Sequence, residues 1–497
     1  MSGGRWIVAG GGLGGLSAAV AAARQGRRVV LLEKEPRLGG CAVSWDRGGR
    51  HFDLALHVTA AGGPGQEFRR LSEALGLALP FIRLPRGFQV RLGGESFRLP
   101  NGDGVWTFLS DRFPGSADGL QALRRDMAKH FAVYAPLFDP EVPRWRAVPP
   151  FLPRLPVFLR QAAQPVGDYL RRFVGDPALL ALLFQPCIFT GLPMSRFPTI
   201  NFLMMFPMLF EGGLFTVEGG GQAVTDALER RALSLGVEVR TGVEVAGLAI
   251  RGRQVTGVRT RAGEHLEAEA VIAAVSVPQV VDRWIGRDRF PAPYLRALDR
   301  LRPSLSVMVL HFGLDRPPAE LGVEDYFYLI HPGPDVDAAF SRAERGEWSG
   351  SYSLTVPVNR RESGGGDASG WTLSVIAGCA PGPWMRASPE AYRAAKQAWA
   401  EQALAALENH FPGLRPHVTV TDVATPLSIQ RYTGNPAGAI LGFECAVGAH
   451  RPIRAVNRPP FRGLAFAGAW TEGLGGFLPS MKSGVQAVRR LARGGGP

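Results

Sequence analysis

IVAGGGLGGLSAA, residues 7–19, carries an apolar run into five glycines within six positions and then into alanine. It contains Gly10-x-Gly12-x-x-Gly15, with Leu13 and Gly14 inside the loop, a predicted strand before it (RWIVAG) and a predicted helix after it (LSAAVAAARQG). Glycines in this order allow a tight turn and close approach of the backbone to a pyrophosphate, which rests on the positive end of the following helix. A second predicted strand, RRVVLLE, ends at Glu33, eighteen residues beyond Gly15. A carboxylate there accepts hydrogen bonds from both hydroxyls of an adenosine ribose and repels a 2′-phosphate. A glycine-rich hairpin without a ligand is the alternative, but it gives no reason for the order strand, loop, helix, strand, acid. NAD and FAD both satisfy this part of the site.

The 497 residues suffice for two or three domains, and 46% apolar with 20% charged residues fits a folded globular chain. The formal charge of +13 comes almost wholly from arginine, since Lys34, Lys129, Lys396 and Lys482 are the only lysines. Compositional bias and attraction to an anionic membrane surface both account for it. Nucleic acid is not an expected partner, because no stretch combines a dense basic run with interleaved aromatic residues. Cys41, Cys187, Cys379 and Cys445 form no CxxC pair, which indicates neither a zinc site nor a local dithiol and suits a reducing compartment. No HExxH or similarly spaced histidine pair occurs, so no metal site is expected. The nucleotide strand starts at Arg5 and no run of about 20 apolar residues is present. The expectation is a cytoplasmic protein, or one peripheral on the inner face of a membrane.

Along the chain, GFQVRLGGESFRLP reads as antiparallel strands. Residues 131–210 mix Pro, Phe, Leu and Met (AVPPFLPRLPVFLRQ, FPTINFLMMFPMLF). They are too broken by proline for one long helix, and form either a core of short helices or a surface dipping into lipid. VEGGGQAVTDALERRALSLGVEVR reads as loop, amphipathic helix and strand, with strands to follow at VEVAGLAI, VTGVRTR and EAEAVIAAV. Beyond these come strands SLSVMVLHFGL and WTLSVIAGC, the helix PEAYRAAKQAWAEQALAALENHF, and a surface loop at ESGGGDASG (362–370). The closing segment FRGLAFAGAWTEGLGGFLPSMKSGVQAVRRLA is a strand, a glycine-rich turn and a helix with Pro479 near its start. This second ligand-directed helix end has no use in an enzyme binding NAD alone. A flavin uses it, because reduced isoalloxazine carries negative charge that helix N–H groups stabilise.

These residues resemble the flavoprotein family of phytoene desaturases, carotenoid isomerases and retinol saturases. VLLEKEPRLGGCAVSWDRGGRHFDLALHV resembles the family's acid-then-double-glycine element, and implies cofactor contacts at Glu33, Lys34, Arg37, Gly39 and Gly40, followed by Phe52-Asp53 and His57. Its GGC…F-D…H wording is closer to the isomerase and saturase branch. EGGLFTVEGGGQAVTDAL resembles the segment that covers the cofactor, and Val245 stands where backbone groups clasp the adenine. TPLSIQRYTGNPAGAILGFE and GLAFAGAWTEGLGGFLPSMKSGVQAV resemble the closing flavin segments, which implies contacts at Gly468, Gly476, Phe477 and Leu478. Two departures stand out: Asp53-Leu54-Ala55 replaces Asp-x-Gly, and Gly468-Ala469 replaces the Gly-Asp of related oxidases, so contacts near the ribityl phosphate come mainly from backbone. The implied fold class is α/β, a Rossmann-type FAD-binding domain (glutathione-reductase/amine-oxidase-like) with a mixed α+β substrate domain. The expected division is FAD-binding at 1–80, 211–280 and 425–497, and substrate domain at 81–210 and 281–424.

The implied activity is dehydrogenation of a long isoprenoid or carotenoid polyene, with isomerisation or saturation of such a polyene as the alternative and a non-catalytic binder as a third. A disulfide reductase needs a second cysteine soon after Cys41, and CAVSWDRGG has none. A monooxygenase using NADPH often has a second nucleotide loop, and no second G-x-G-x-x-G occurs. Amine oxidases share the architecture, with Phe215, Trp470 and Tyr432 available for an aromatic cage. Exposing a forty-carbon isoprenoid to water costs on the order of 30 kcal/mol at about 0.8 kcal/mol per carbon, so the substrate is expected to be drawn from a bilayer. His57 either approaches the flavin or is a loop histidine held by a carbonyl. Glu472 contacts ribityl or faces solvent, Arg37 pairs the pyrophosphate or is solvated, and Cys41 is a flavin neighbour or a small buried residue. No catalytic acid or base and no oligomeric state is assigned.

Overall fold

The computed structural model describes residues 4–54, 57–138, 142–356, 370–472 and 475–493. The opening stretch forms strand β1 (Arg5–Ala9), helix α1 (Leu13–Arg24) and strand β2 (Arg28–Leu32). Trp6 to Ala9 and Val29 to Leu32 are buried without alternation, as a parallel sheet covered on both faces requires. Strands Glu238–Arg240, Ala270–Ala273 and Leu464–Phe466 complete a five-stranded parallel sheet with β1 at its centre. The chain therefore returns to its first sheet from remote stretches, and Ala270–Ala273 pairs directly with β1.

The chain ends meet beside this sheet. The C-terminal helix Phe477–Ala492 lies against α1, and the Ser17 hydroxyl donates to the Met481 carbonyl at 2.9 Å. A side chain at Gly484 would drive into Gly14 O and the Ser17 hydroxyl, and one at Gly14 would stand 2.5 Å from Gly468 N. Small residues on both helices are what bring the two glycine turns together.

A second sheet of seven strands runs in the order Val418–Ala424, Ser306–Leu314, Trp371–Cys379, Tyr352–Thr355, Phe327–His331, Gln89–Leu92, Glu95–Arg98. It is antiparallel except where Phe327–His331 pairs with Gln89–Leu92. Ser306–Leu314 is buried along its whole length because both faces are covered. Met308, Leu310 and Phe312 pack under helix Pro389–His410, while Val307 and Val309 face a cavity on the other side.

The proline-rich stretch is a set of short helices, among them Arg144–Phe151, Leu155–Ala163, Pro177–Phe184 and Thr199–Phe206. From Val166 onward it is core, with Leu179, Leu182, Phe202 and Phe206 fully buried. Its first half is different: Trp145 is 69% and Leu152 57% exposed, with Leu155 and Leu159 exposed beside them. No helix among the described residues is long and apolar enough to cross a membrane. The loop expected at 362–370 lies almost wholly outside the described residues, as does Ala55.

Candidate functional site

The nucleotide loop is shaped by backbone geometry that its neighbours impose. Gly10 has φ +110°, a region closed to ordinary side chains. A Cβ at Gly15 would collide with the Gly10 carbonyl oxygen, so this glycine sets how closely α1 approaches β1. Gly12 is another matter. Its φ of −74° suits any residue, and the nearest atoms to a Cβ there are Gly39 O and Gly40 Cα at 4.0 Å. No contact within the protein calls for a bare backbone at this point. The room belongs to whatever lies on the loop, and α1 begins there with no side-chain cap and no acid in its first turn.

Glu33 closes the loop from the end of β2. Its Oε2 accepts from Gly11 N at 2.6 Å and its Oε1 from Glu35 N at 2.9 Å. Each oxygen keeps a further lone-pair site for a ribose hydroxyl. Gly39 N donates to Gly11 O at 2.9 Å, which places the double glycine Gly39-Gly40 against the same turn. The helix Gly220–Ser234 supports this loop from behind: Thr225 donates to Ala42 O at 2.8 Å, and Gly221 N donates to the Asp53 carboxylate at 3.2 Å. The glycine-rich segment before that helix thus buttresses the loop, and residues 218–222 do not reach the cavity wall.

One cavity of about 1070 Å³ runs from this loop to the seven-stranded sheet. Gly10, Gly12, Leu13, Gly14, Glu33, Lys34, Arg37, Gly39, Gly40, Val245, Gly468, Gly476 and Phe477 line it. Gly15 and Leu478 stand one layer back, Gly15 against Gly10 and Leu478 in the core beside the parallel sheet. Lys34 donates to the Glu35 carboxylate at 2.7 Å and to Arg431 O at 3.1 Å, and Arg37 donates to Ser44 O at 3.4 Å. Gly468 N is taken by the Ser483 hydroxyl at 2.7 Å, while a Cβ at Gly468 would meet open space. The C-terminal helix starts at Gly476 without a side-chain cap or an acid in its first turn. Two uncapped helix N-termini and two glycines facing open space, Gly12 and Gly468, make a cradle for an extended, phosphate-bearing cofactor.

Beyond the cradle the wall turns apolar. Phe184, Ile188 and Phe189 from one side face Leu329, Val309 and Ile376 of the sheet. The charged lining residues belong elsewhere: Glu33, Lys34, Glu35 and Arg37 to the loop, Glu244 to the neighbouring turn, where Arg261 holds its carboxyl below the usual range. Arg47 and Asp422 pair with each other, and Lys396 comes from the helix along strand Val418–Ala424. Trp470 lines the cavity with its Nε1 donating to Asn435 at 2.8 Å, Tyr432 is 60% exposed at the rim, and Phe215 lies in a core strand outside the wall. These three do not form a cage.

His57 is a loop histidine held by backbone at the cavity wall. One ring nitrogen is held by the Leu54 backbone, while Nε2 is buried without a partner and the residue lines the cavity. Burial lowers its pKa to about 4, so the ring is neutral near pH 7. His311, unremarked in the sequence, lies behind Trp45 (ring centroids 5.0 Å apart) with Nδ1 2.9 Å from the Ser374 hydroxyl. Its pKa falls to about 3, chiefly through burial. The Cys41 thiol, at the cavity edge, is pushed up to about 11 by burial, and all four cysteines are free, which leaves no dithiol at the cofactor. No cluster of metal-ligating side chains occurs among the described residues. The side chain of Glu472 lies outside the described set.

Comparison with known proteins supplies the cofactor's identity. Residues 13–492 match the family of flavin containing amine oxidoreductases. The chain is 26% identical to the 4,4′-diapolycopene oxygenase of a Methylomonas species, over 98% of this chain and 97% of that one. It is 25% identical to the neurosporene-forming phytoene desaturase of Rhodobacter capsulatus (98% and 94%) and 23% identical to the prolycopene isomerase of Daucus carota (87% and 71%). Among solved structures, an oxidoreductase from Methanosarcina mazei superimposes with a TM-score of 0.66 at 17% identity, covering 98% of this chain and all of that one. A putrescine oxidase superimposes at 0.65 and 16%, covering 99% of each. Both show the same α/β fold. With the cradle described above, these likenesses establish FAD as the cofactor, and the chain belongs to the flavin containing amine oxidoreductase family as an FAD-dependent oxidoreductase.

Proposed function

We propose that this chain dehydrogenates a long, hydrophobic isoprenoid or carotenoid polyene. The observation that carries the reading is the continuity of one cavity from the nucleotide loop to an apolar chamber whose neighbouring carboxylate, Asp422, is already paired with Arg47. An ammonium substrate would need an anion or an aromatic cage there. A polyene needs only apolar wall, and gains about 0.8 kcal/mol for each carbon it buries.

Gly12, Gly39 and Gly40, with the N-terminus of α1, would hold the pyrophosphate, Glu33 the ribose, and Val245 the adenine. Gly468 and Gly476 to Leu478 would hold the flavin end. Bound there, FAD supplies an acceptor for a hydride or for single electrons. The protein's own part is positioning and exclusion of water: Phe184, Phe189 and Leu329 align an extended chain, and His57 lines the cavity in its neutral form, without placing a charge beside hydrocarbon. No chamber residue offers a strong base, which favours chemistry that takes hydride directly from carbon.

Anaerobic mixing of purified holoprotein with a panel of carotenoids and shorter polyenes tests this. Bleaching of the flavin with formation of a more conjugated product is the expected result. Turnover only after prior reduction of the flavin would show an isomerase or saturase instead, and bleaching by amines alone would refute the polyene reading.

The substrate's insolubility also calls for contact with lipid. Trp145, Leu152, Leu155 and Leu159, with Phe138 beside them at 47% exposure, form an apolar strip among Arg146, Arg154 and Arg160, a composition suited to shallow insertion into an anionic bilayer. The protein should sediment with anionic liposomes at low salt, and Trp145→Ser with Leu152→Ser should weaken that association at least tenfold without loss of fold. Wild-type protein that stays in the supernatant contradicts the assignment.

A further inference from the structure

Within the apolar chamber, one patch of wall is polar and its hydrogen bonds have a determined direction. Gln185 Nε2 donates to Ala181 O at 2.9 Å, which fixes the amide so that Oε1 faces His331 Nε2 at 3.0 Å. The amide oxygen can only accept, so the ring proton of His331 is on Nε2. His331 is buried, and burial lowers its pKa to about 4, so near neutral pH it carries that one proton alone. Nδ1 is then an acceptor, and the Ser351 hydroxyl 3.1 Å away donates to it. The single proton of Ser351 is thereby committed, and its oxygen faces the cavity as an acceptor only.

Ser353 stands two positions along, beside Leu329 in the strand register and on the same side of the sheet. Its hydroxyl has no hydrogen-bond partner among the described residues and is free to donate. Val336, Phe340 and Ile376 surround the pair with hydrocarbon. An acceptor at Ser351, just before strand Tyr352–Thr355, and a donor at Ser353 within it leave uncompensated polar groups against a pure hydrocarbon.

We propose that Ser351 and Ser353 form a recognition site for an alcohol: the substrate's hydroxyl donates to Ser351 Oγ and accepts from the Ser353 hydroxyl. The site rests on the polyene reading of the cavity and narrows it to chains that end in a hydroxyl group. An aldehyde or ether would accept from Ser353 but leave Ser351 without its donor, and a hydrocarbon would satisfy neither. Gln185 and His331 act as positioning residues, holding the Ser351 proton away from the cavity.

Titration of FAD-loaded protein with geranylgeraniol, its methyl ether and its aldehyde, read by quenching of tryptophan emission, tests the site. The alcohol should bind about tenfold more tightly than the ether, the scale of one net hydrogen bond to a buried group, and Ser351→Ala should bring that ratio to about one. Equal affinities in the wild-type protein, or a preference that survives Ser351→Ala, would overturn the proposal, and the wild-type ratio decides even if the variant fails to accumulate. Binding of all three with a ratio of one, together with bleaching by polyenes, removes the hydroxyl site and leaves the proposed function standing. If none of the three binds and no polyene bleaches the flavin, both are overturned.

Discussion

Gly12→Val is expected to give a folded protein that carries no flavin. The backbone at residue 12 is already in the extended region that valine favours, and its side chain would enter open space, with the nearest protein atoms 4.0 Å from Cβ. The substitution therefore costs the apoprotein little, within about 1 kcal/mol. The same two methyl groups occupy the place where backbone must approach a pyrophosphate, so affinity for FAD should be lost. Thermal unfolding with and without added FAD separates the two effects. A cofactor at a hundred times its Kd stabilises the wild-type protein by about 2.7 kcal/mol, and the variant should show no such response. Gly15→Val should behave oppositely and fail to fold, because its Cβ would overlap the Gly10 carbonyl within the protein itself. A yellow Gly12→Val holoprotein would show that the loop does not bind the cofactor.

Mild acid should destabilise the protein far more than its surface ion pairs would suggest. His57, His311 and His331 are buried neutral, with pKa values lowered from 6.5 to about 4, 3 and 4. Where the unfolded chain binds more protons than the folded one, stability rises with pH. These three histidines therefore contribute stability that is present above pH 6.5 and is lost as pH falls toward 4. At pH 5 each unfolded histidine is protonated and each folded one is not, a difference of about 2 kcal/mol per residue and roughly 6 kcal/mol in all. Domains of this kind are stable by about 5–15 kcal/mol, so the urea midpoint should drop sharply between pH 7 and pH 5. His331→Gln should remove roughly a third of that drop. A flat profile between these pH values would show that the three rings are hydrated or protonated in the folded state.

The parts of this protein that could be read before folding are those encoded within a short span. Residues 5–33 hold strand, turn, helix, strand and acid in one run, and Gly10 and Gly15 answer to backbone and steric demands within the turn itself, so the nucleotide half-site was legible from order alone. The strands around Val309 and Val375 were legible for a similar reason, since burial on both faces leaves a continuous apolar run. The glycine turn before the C-terminal helix also had a local signature. That it meets the first loop depends on Gly14, Ser17 and Gly484 lying in contact across more than 450 residues, and no spacing rule conveys that.

Chemistry beyond the cradle was not legible, because its partners are remote and its residue types are ordinary. The hydrogen bond between His331 and Gln185 joins residues 146 apart, and a histidine at the end of an apolar strand looks the same whether it faces core or cavity. The segment EGGLFTVEGGGQAVTDAL, which the resemblance places over the cofactor, supports the Gly39 loop from behind through Gly221 and Thr225. The exposed Trp145 sits in RWRAVPPF, broken by arginine and proline, and the buried Phe202 in TINFLMMF, which carries no charge; both belong to one proline-rich stretch, and packing put one outside and the other inside. Local order, then, marked the nucleotide loop and the layered sheets, because backbone sterics act between near neighbours. Tertiary structure alone assigned which side chains face the cavity and with which protons, because burial and hydrogen-bond direction exist only once distant segments have met.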